Sequence, residues 1–246
     1  MKLKILGSNS TGNCYLFMAD DTPETLIVEC GVSLKEVKKA LDYDIRRVVG
    51  AVVTHEHGDH AKAVSDFLDM HISVYMSSGT ANTLKEARRA KTLGSMDTIK
   101  LGNFTIKAFD VKHDAAEPFG YLIFHPEMGL TLFATDTCYL KHTFKGLSNV
   151  LIECNYRHDI LERNISGGKL PASMYARIVQ NHMSYNTCAE ALQTNDLRFV
   201  NNIVLMHLSD GNSNATEFKT GITQLTGKTV YVADRGMCID FNKTPF

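Results

Sequence analysis

The stretch Val48-Val49-Gly50-Ala51-Val52-Val53-Thr54 runs directly into His55-Glu56-His57-Gly58-Asp59-His60. The first part is a continuous apolar run of the kind that forms a buried strand. The second part packs four potential metal ligands, His55, His57, Asp59 and His60, into six residues. Imidazole and carboxylate together suit zinc, manganese, iron or nickel. The helical zinc-protease pattern needs a second His four places after the first, and that place here is Asp59. A tight loop after a strand can instead aim alternate side chains at two neighbouring metals, and Gly58 is expected to let the backbone turn there.

The rest of the chain must bury that strand. At 246 residues, 44% hydrophobic and 22% charged, it can form a sizeable core and has the composition of an ordinary globular protein. No low-complexity tract, repeat or linker divides it, so residues 1–246 read as one domain. No apolar run approaches the ~18 residues of a membrane span, and Met1-Lys2-Leu3-Lys4-Ile5-Leu6-Gly7 lacks the apolar core of a signal peptide. Six cysteines, at 14, 30, 138, 154, 188 and 238, form no closely spaced pair, which predicts reduced thiols and a cytoplasmic setting. The net charge of −1 argues against bulk electrostatic coating of nucleic acid. It does not exclude a nuclease, because metal ions bring their own positive charge to a site.

Periodicity predicts many short strands with a few helices. Strands are expected over 2–7, 15–18, 25–29, 48–54, 72–76, 104–111, 121–125, 131–134, 150–153, 203–207, 230–232 and 237–241. Ser33 is placed to cap a helix reaching Leu41, with Leu34, Val37 and Leu41 on one face. Further helices are expected over 80–91, 172–181, 187–193 and 214–225. The helix over 80–91 would display Lys85, Arg88, Arg89 and Lys91 as a basic face. Strand runs interrupted by helices point to a layered α/β or α+β sandwich.

His-x-His-x-Asp-His after an apolar strand resembles the signature of the metallo-β-lactamase superfamily. Further segments match in order: Leu26-Ile27-Val28-Glu29 with an acid ending an earlier strand, Val111-Lys112-His113, Ala134-Thr135-Asp136 and Leu205-Met206-His207. The resemblance implies an α+β fold, the four-layer αββα sandwich of that superfamily. It implies two divalent metal ions per chain, zinc or manganese, with nickel also suited. His55, His57 and His113 would hold one, Asp59, His60 and His207 the other, and Asp136 would bridge. Glu29, where Asp is usual, would support the signature loop from behind the ligands. Two such cations would lower the pKa of a shared water enough to give hydroxide near neutral pH.

Fold alone does not select a reaction. Asp rather than Cys or Ser at the bridging place disfavours the zinc lactamases. The 71 positions between Asp136 and His207 leave no room for a large inserted domain. Several stretches resemble the WalJ/YycJ-type enzymes of the superfamily, which resemble single-stranded DNA exonucleases. These are Gly7-Ser8-Asn9-Ser10-Thr11-Gly12-Asn13, His113 to Tyr121, Glu153-Cys154-Asn155-Tyr156, Arg177-Ile178 with His182-Met183-Ser184, and His207-Leu208-Ser209 with Asn212 and Asn214. Asn181 stands where Gly is usual, and Asp210 to Asn214 is looser than the family's adjacent asparagines. The resemblance implies a phosphodiesterase acting on single-stranded DNA, with Asp59 and His182 as catalytic residues. His182 would serve as general acid or phosphate ligand, and Ser184, Asn212 and Asn214 as phosphate donors. Phe119, Tyr139 and Tyr156 are aromatics near the motifs that could stack bases. The alternative is a cyclic nucleotide phosphodiesterase, such as the phage anti-defence enzymes that open cyclic pyrimidine mononucleotides; a pocket roofed by the second subunit of a homodimer would suit it. A thioester or lactone hydrolase is the third reading. The expected partner is therefore DNA or a nucleotide, with no membrane.

Overall fold

The computed structural model describes residues 1–85 and 87–244. Strands β1 (Lys2–Asn9), β2 (Gly12–Met18), β3 (Thr25–Val28), β4 (Val48–Val52), β5 (Val74–Ser77) and β6 (Lys91–Leu93) belong to a first sheet. Strands β7 (Thr98–Leu101), β8 (Phe104–Asp110), β9 (Phe119–His125), β10 (Gly129–Ala134), β11 (Leu147–Glu153), β12 (Asn202–Met206) and β13 (Thr229–Val232) form a second, and β14 (Cys238–Asp240) returns to the first. The orders are β14-β1-β2-β3-β4-β5-β6 and β13-β12-β11-β10-β9-β8-β7. In each sheet an antiparallel half gives way to a parallel half: β3 pairs in parallel with β4, and β10 with β11. The helices are α1 (Leu34–Ala40), α2 (Gly58–Ala61), α3 (Val64–Asp69), α4 (Ser78–Thr83), α5 (His158–Ser166), α6 (Ser173–Asn181), α7 (Tyr185–Thr194) and α8 (Ala215–Thr226).

Period-2 alternation sorts the strand side chains into layers. Leu26, Val28, Val52, Phe133, Leu151, Val204 and Met206 point between the sheets, where they meet Tyr15, Phe17, Phe104 and Tyr121. Their neighbours Ile27, Ala51 and Val53 face outward under Val37 of α1 and Phe67 of α3. On the other side Leu132, Val150, Ile152 and Leu205 lie under Cys188 and Leu192 of α7 and Phe218 and Ile222 of α8. This is the αββα sandwich, and a strand buried on both faces explains why 48–54 reads as an unbroken apolar run. Each fully buried Leu or Phe contributes roughly 1.5–3 kcal/mol.

Among the described residues, the helix expected over 80–91 forms only over 80–83, as part of α4. Helix α4 starts earlier, capped by Ser77, and stops at Leu84; Lys91 instead opens edge strand β6, which pairs Lys91, Thr92 and Leu93 with Tyr75, Met76 and Ser77. Arg89 pairs with Asp69 and Lys91 Nζ bonds the Tyr75 hydroxyl, so these cations do not share one helical face. Sheet hydrogen bonding outweighs the weak local helix preference of that segment. The helices α2, α3 and α5 and the strands β6 and β7 carry patterns too short or mixed for periodicity to reveal. Helices α5 and α6 form a hairpin between β11 and β12, packed through Leu161, Ile178 and Tyr156 with Leu170 and Met174 beside them. Among the described residues no helix is long and apolar enough to cross a membrane.

Candidate metal centre

The parallel halves of both sheets deliver polar side chains to one edge of the sandwich. Glu29 follows β3, His55 follows β4, Asp136 follows β10, Glu153 ends β11 and His207 follows β12. The carboxyl ends of parallel strands are where open α/β sheets place their ligand sites. Glu29, Asp136 and His207 have positive φ values of 72°, 45° and 54°. Three non-glycine residues held in that region, all at one edge, mark a place where geometry is imposed by surrounding structure.

The signature loop is anchored before it presents its ligands. Cys30 N–H donates to the His60 carbonyl at 2.8 Å, and Ala63 N–H donates to the Cys30 carbonyl at 3.0 Å. Behind the loop, Glu29 Oε1 accepts from Thr54 Oγ1 at 2.6 Å and lies 3.2 Å from His60 Nδ1. Thr54 Oγ1 is also 2.9 Å from His55 Nδ1. Having given its hydrogen to Glu29, the hydroxyl accepts from His55 Nδ1–H, which leaves His55 Nε2 with a free lone pair on the side of Asp136. The extra methylene of Glu29 therefore reaches the loop without displacing it. Gly58 is not needed for the turn: it is the first residue of α2, its φ is not positive, and a Cβ there would meet nothing within 4 Å.

Two groups of donors converge. One is His55, His57 and His113; the other is Asp59, His60, Asp136 and His207; within each group the donor atoms lie within 4.8 Å of one another. Asp136 Oδ2 is 3.2 Å from His60 Nε2, 3.7 Å from His113 Nε2 and 3.8 Å from His55 Nε2, so it stands between the groups. Asp59 Oδ2 lies 3.3 Å from His60 Nε2 and 3.5 Å from His207 Nε2. His113 Nδ1 lies 3.0 Å from the Asn181 carbonyl, to which it donates, so His113 Nε2, 3.2 Å from His57 Nδ1, faces the cavity as an acceptor.

This donor set fits divalent cations. His55 Nε2 and His207 Nε2 are buried without a hydrogen-bond partner, an arrangement that costs roughly 1–3 kcal/mol per group when nothing compensates it. Burial and the neighbouring His60 hold His55 well below the usual imidazole range, and burial lowers His113, so both are neutral and able to ligate. Burial opposes charge on Asp136, yet His207 and His60 hold its carboxyl well below the usual range. Burial likewise opposes charge on His207, but Asp136 and the nearby carboxylates of Asp59 and Glu153 push it up to about 10. The carboxylates thus make a centre that strongly favours positive charge.

A third group, Asp136, Glu153, His182 and His207, shares two members with the second and cannot be filled independently of it. Glu153 is fully buried. Its Oε1 is 2.7 Å from His182 Nδ1 and 3.3 Å from His207 Nδ1. Its Oε2 accepts from Thr137 N–H at 2.8 Å and Met183 N–H at 3.1 Å. In sequence Glu153 stands within a motif stretch but acquires no role there; its one signal is a lone acid ending an apolar strand. Asn155, two residues on, donates to the His207 carbonyl at 2.7 Å, and Ser8 Oγ accepts from His207 N–H at 3.1 Å. Asn13 Nδ2 lies 3.1 Å from His60 Nε2. Sequence alone assigns none of these three such a role.

His57, Asp59, His113, Asp136, His182 and His207 lie on a cavity of about 620 Å³, whose rim includes Asn9, Ser10 and Asn212. Two residues expected to meet phosphate are instead helix caps: Ser184 Oγ accepts from Thr187 N–H and Asn214 Oδ1 from Glu217 N–H, and neither lines the cavity. Asn212 does line it, although its Oδ1 is bonded to Asn164 Nδ2 at 2.9 Å. Phe119 and Tyr156 are core residues, whereas Tyr139 is about half exposed.

The model of a family described as the beta-lactamase superfamily domain matches residues 25–208. The chain is 28% identical over 241 residues to the exodeoxyribonuclease YycJ of Bacillus anthracis, covering 92% of this chain and 89% of that protein. Its fold is similar to that of the metallo-beta-lactamase fold protein YhfI from Bacillus subtilis (TM-score 0.71, 15% identity, 97% and 99% of the two chains). It is also similar to Zn(2+)-bound PqqB from Methylobacterium extorquens (TM-score 0.74, 13% identity, 98% and 100%).

Proposed function

This chain belongs to the beta-lactamase superfamily, and on that footing we propose that it is a metal-dependent phosphodiesterase that hydrolyses single-stranded DNA. One observation carries the reading: His182, held through Nδ1 by buried Glu153, lies on the same cavity wall as the two donor groups. A phosphodiester expels an alkoxide, which needs a proton, whereas a thioester expels a thiolate that does not. The named activity of the Bacillus anthracis relative points to DNA as the polymer.

His55, His57 and His113 would hold one divalent ion, and Asp59, His60 and His207 the other, with Asp136 between them. Zinc, manganese and nickel all suit imidazole and carboxylate donors. Such a pair supplies neutralisation of phosphate charge and an acidified water. The chain supplies the rest. Asp59 turns its carboxylate between His60 and His207 and faces the cavity. Burial alone would lower the His182 pKa, but the Glu153 carboxylate raises it, so the ring keeps its proton to a higher pH than a free imidazole does. With Nδ1 committed to Glu153, Nε2 is the atom that delivers a proton to the leaving oxygen. Asn212 and Ser10 on the rim are available to donate to phosphate oxygens.

The test is a panel of single- and double-stranded DNA, RNA, cyclic nucleotides and a thioester, assayed with manganese or zinc for wild type and Asp59→Ala. Single-stranded DNA should be degraded by wild type and not by the variant. Intact single-stranded DNA alongside an opened cyclic nucleotide would replace this reading by the second one. A cavity of about 620 Å³ also accommodates a cyclic mononucleotide.

A further inference from the structure

Helix α6 turns one stripe toward the cavity: Met174, Arg177, Ile178 and Asn181 all line it. Their spacing is i, i+3, i+4, i+7, a single helical face. Leu170 and Lys169, in the turn that precedes the helix, extend the stripe outward along the same wall. The helix ends at the donor groups, because the Asn181 carbonyl holds His113 Nδ1 and the next residue is His182.

The chemistry along this stripe is ordered. Next to the donor groups lies Asn181, then apolar Ile178 and Met174 with Arg177 beside them, then Leu170 and Lys169. Lys169 and Arg177 are exposed and are the only lysine or arginine on the cavity wall among the described residues. Neither side chain has a hydrogen-bond or ion-pair partner among the described residues, although those of Arg46, Arg89, Arg157, Arg163, Arg198 and Arg235 do. The other charges on the wall are Asp59 and Asp136 of the donor groups and Asp114 and Asp210. Asp114 lies 3.3 Å from His113 Nε2, which leaves Asp210 as the one wall carboxylate without a role at the centre. Arg177 stands five residues before His182, about 7.5 Å along the helix axis at 1.5 Å per residue.

An apolar strip flanked by two free cations, one step from the reacting phosphodiester, matches one further nucleotide and its phosphate. We infer that this stripe is a binding subsite for the nucleotide adjacent to the scissile bond. Leu170, Met174 and Ile178 underlie its base or sugar, and Arg177 and Lys169 hold its phosphate. The inference rests on the phosphodiesterase reading and deepens it: the substrate is a polynucleotide strand, for a cyclic mononucleotide places its one phosphate at the donor groups and has none left for the cations.

The experiment compares wild type, Lys169→Ala/Arg177→Ala, Arg177→Lys and a control double variant, Lys35→Ala/Lys219→Ala. Lys35 and Lys219 are exposed and lie off the cavity. Each protein is assayed on a single-stranded DNA 12-mer and on bis(p-nitrophenyl) phosphate across a salt series. The expected result is a fall of about tenfold or more in the ratio of kcat/KM for the 12-mer to that for the small diester, carried by KM. The slope of log KM against log salt should drop by about 0.7 for each phosphate that the variant no longer neutralises. Arg177→Lys should keep the slope, and the control should match wild type. An unchanged ratio overturns the subsite and leaves the nuclease reading standing. An equal loss on both substrates makes the hairpin structural and also overturns the subsite. Turnover of the small diester by wild type with no polynucleotide cleaved overturns the nuclease reading, and the subsite with it.

Discussion

Glu153 Oε1 lies 2.7 Å from His182 Nδ1, and the carboxylate that makes this contact is fully buried. Its other oxygen takes the backbone N–H groups of Thr137 and Met183. With His207 Nδ1 at 3.3 Å from Oε1, the acid ties together three segments: the one after Asp136, the one formed by His182 and Met183, and His207. A buried carboxylate with all its acceptor positions used is rigid, so the ring it holds has one orientation.

Glu153→Gln should separate orientation from charge. The amide keeps the shape but removes the anion that raises the His182 pKa. A general acid works in its protonated form, so activity fails as pH rises through that pKa. The variant should move the alkaline limb of kcat on DNA toward lower pH. Turnover of bis(p-nitrophenyl) phosphate, whose leaving group needs no proton, should suffer less. An alkaline limb that stays in place would remove His182 from the role of acid.

Asp136 faces both donor groups through one oxygen, at 3.2 Å from His60 and 3.7 Å from His113. Asparagine tolerates the positive φ of this position, so Asp136→Asn should fold. It should bind fewer than two metal equivalents by elemental analysis, with activity down at least about 100-fold. Full occupancy with both ions would show that the groups do not need a shared carboxylate.

How much of this was legible in sequence depends on spacing. His55 to His60 announce themselves because four ligands fall in one loop, and the strand before them is apolar throughout. His113, Asp136 and His207 are single residues, identifiable only by order after a strand. Glu153 and Thr54 gave less: an acid or a threonine ending an apolar strand is common, and only the folded register shows what each touches. Ser184 and Asn214 misled because a helix cap and a phosphate donor use the same residue types. The segment over 80–91 misled because an edge strand of three residues carries little periodic signal.

Thr54 connects Glu29 to His55, at 2.6 Å and 2.9 Å. Thr54→Val keeps the shape and deletes the hydroxyl. It leaves a buried carboxylate oxygen short of a donor, a loss of about 1–3 kcal/mol. It also frees the His55 ring to take the wrong tautomer, which should weaken metal affinity by about 10–100-fold. Thermal denaturation and a metal titration would read the two effects separately. A variant with wild-type metal affinity would sever Thr54 from the tautomer.

Ions that bind the folded centre stabilise it by mass action, by about 4 kcal/mol when free metal stands 1,000-fold above Kd. A domain of this size shifts by about 2–4 °C per kcal/mol. Chelation should therefore lower Tm by roughly 8–16 °C, and added zinc or manganese should restore it. An unmoved Tm would mean the donor groups bind no ion under those conditions.

Two glycines near the centre should behave in opposite ways. Gly31, in the turn after β3, presses its α-carbon against the Asp59 backbone. A Cβ there would overlap the Asp59 carbonyl oxygen and stand 2.6 Å from Asn13 N, both backbone atoms that cannot swing aside. Asp59 and Asn13 each face His60, so the displacement passes directly into the second donor group. A misplacement near 1 Å at a reacting centre costs about 100-fold in rate. Gly31→Ala should thus lose about 100-fold in activity and lose metal from that group first. Gly58 lies inside the signature, yet a Cβ there meets nothing and its φ is ordinary. Gly58→Ala should keep activity within about twofold and gain slightly in stability, because alanine restricts the unfolded chain. If Gly58→Ala were the damaging change and Gly31→Ala the harmless one, the loop would be held by its own turn and not by the strand behind it.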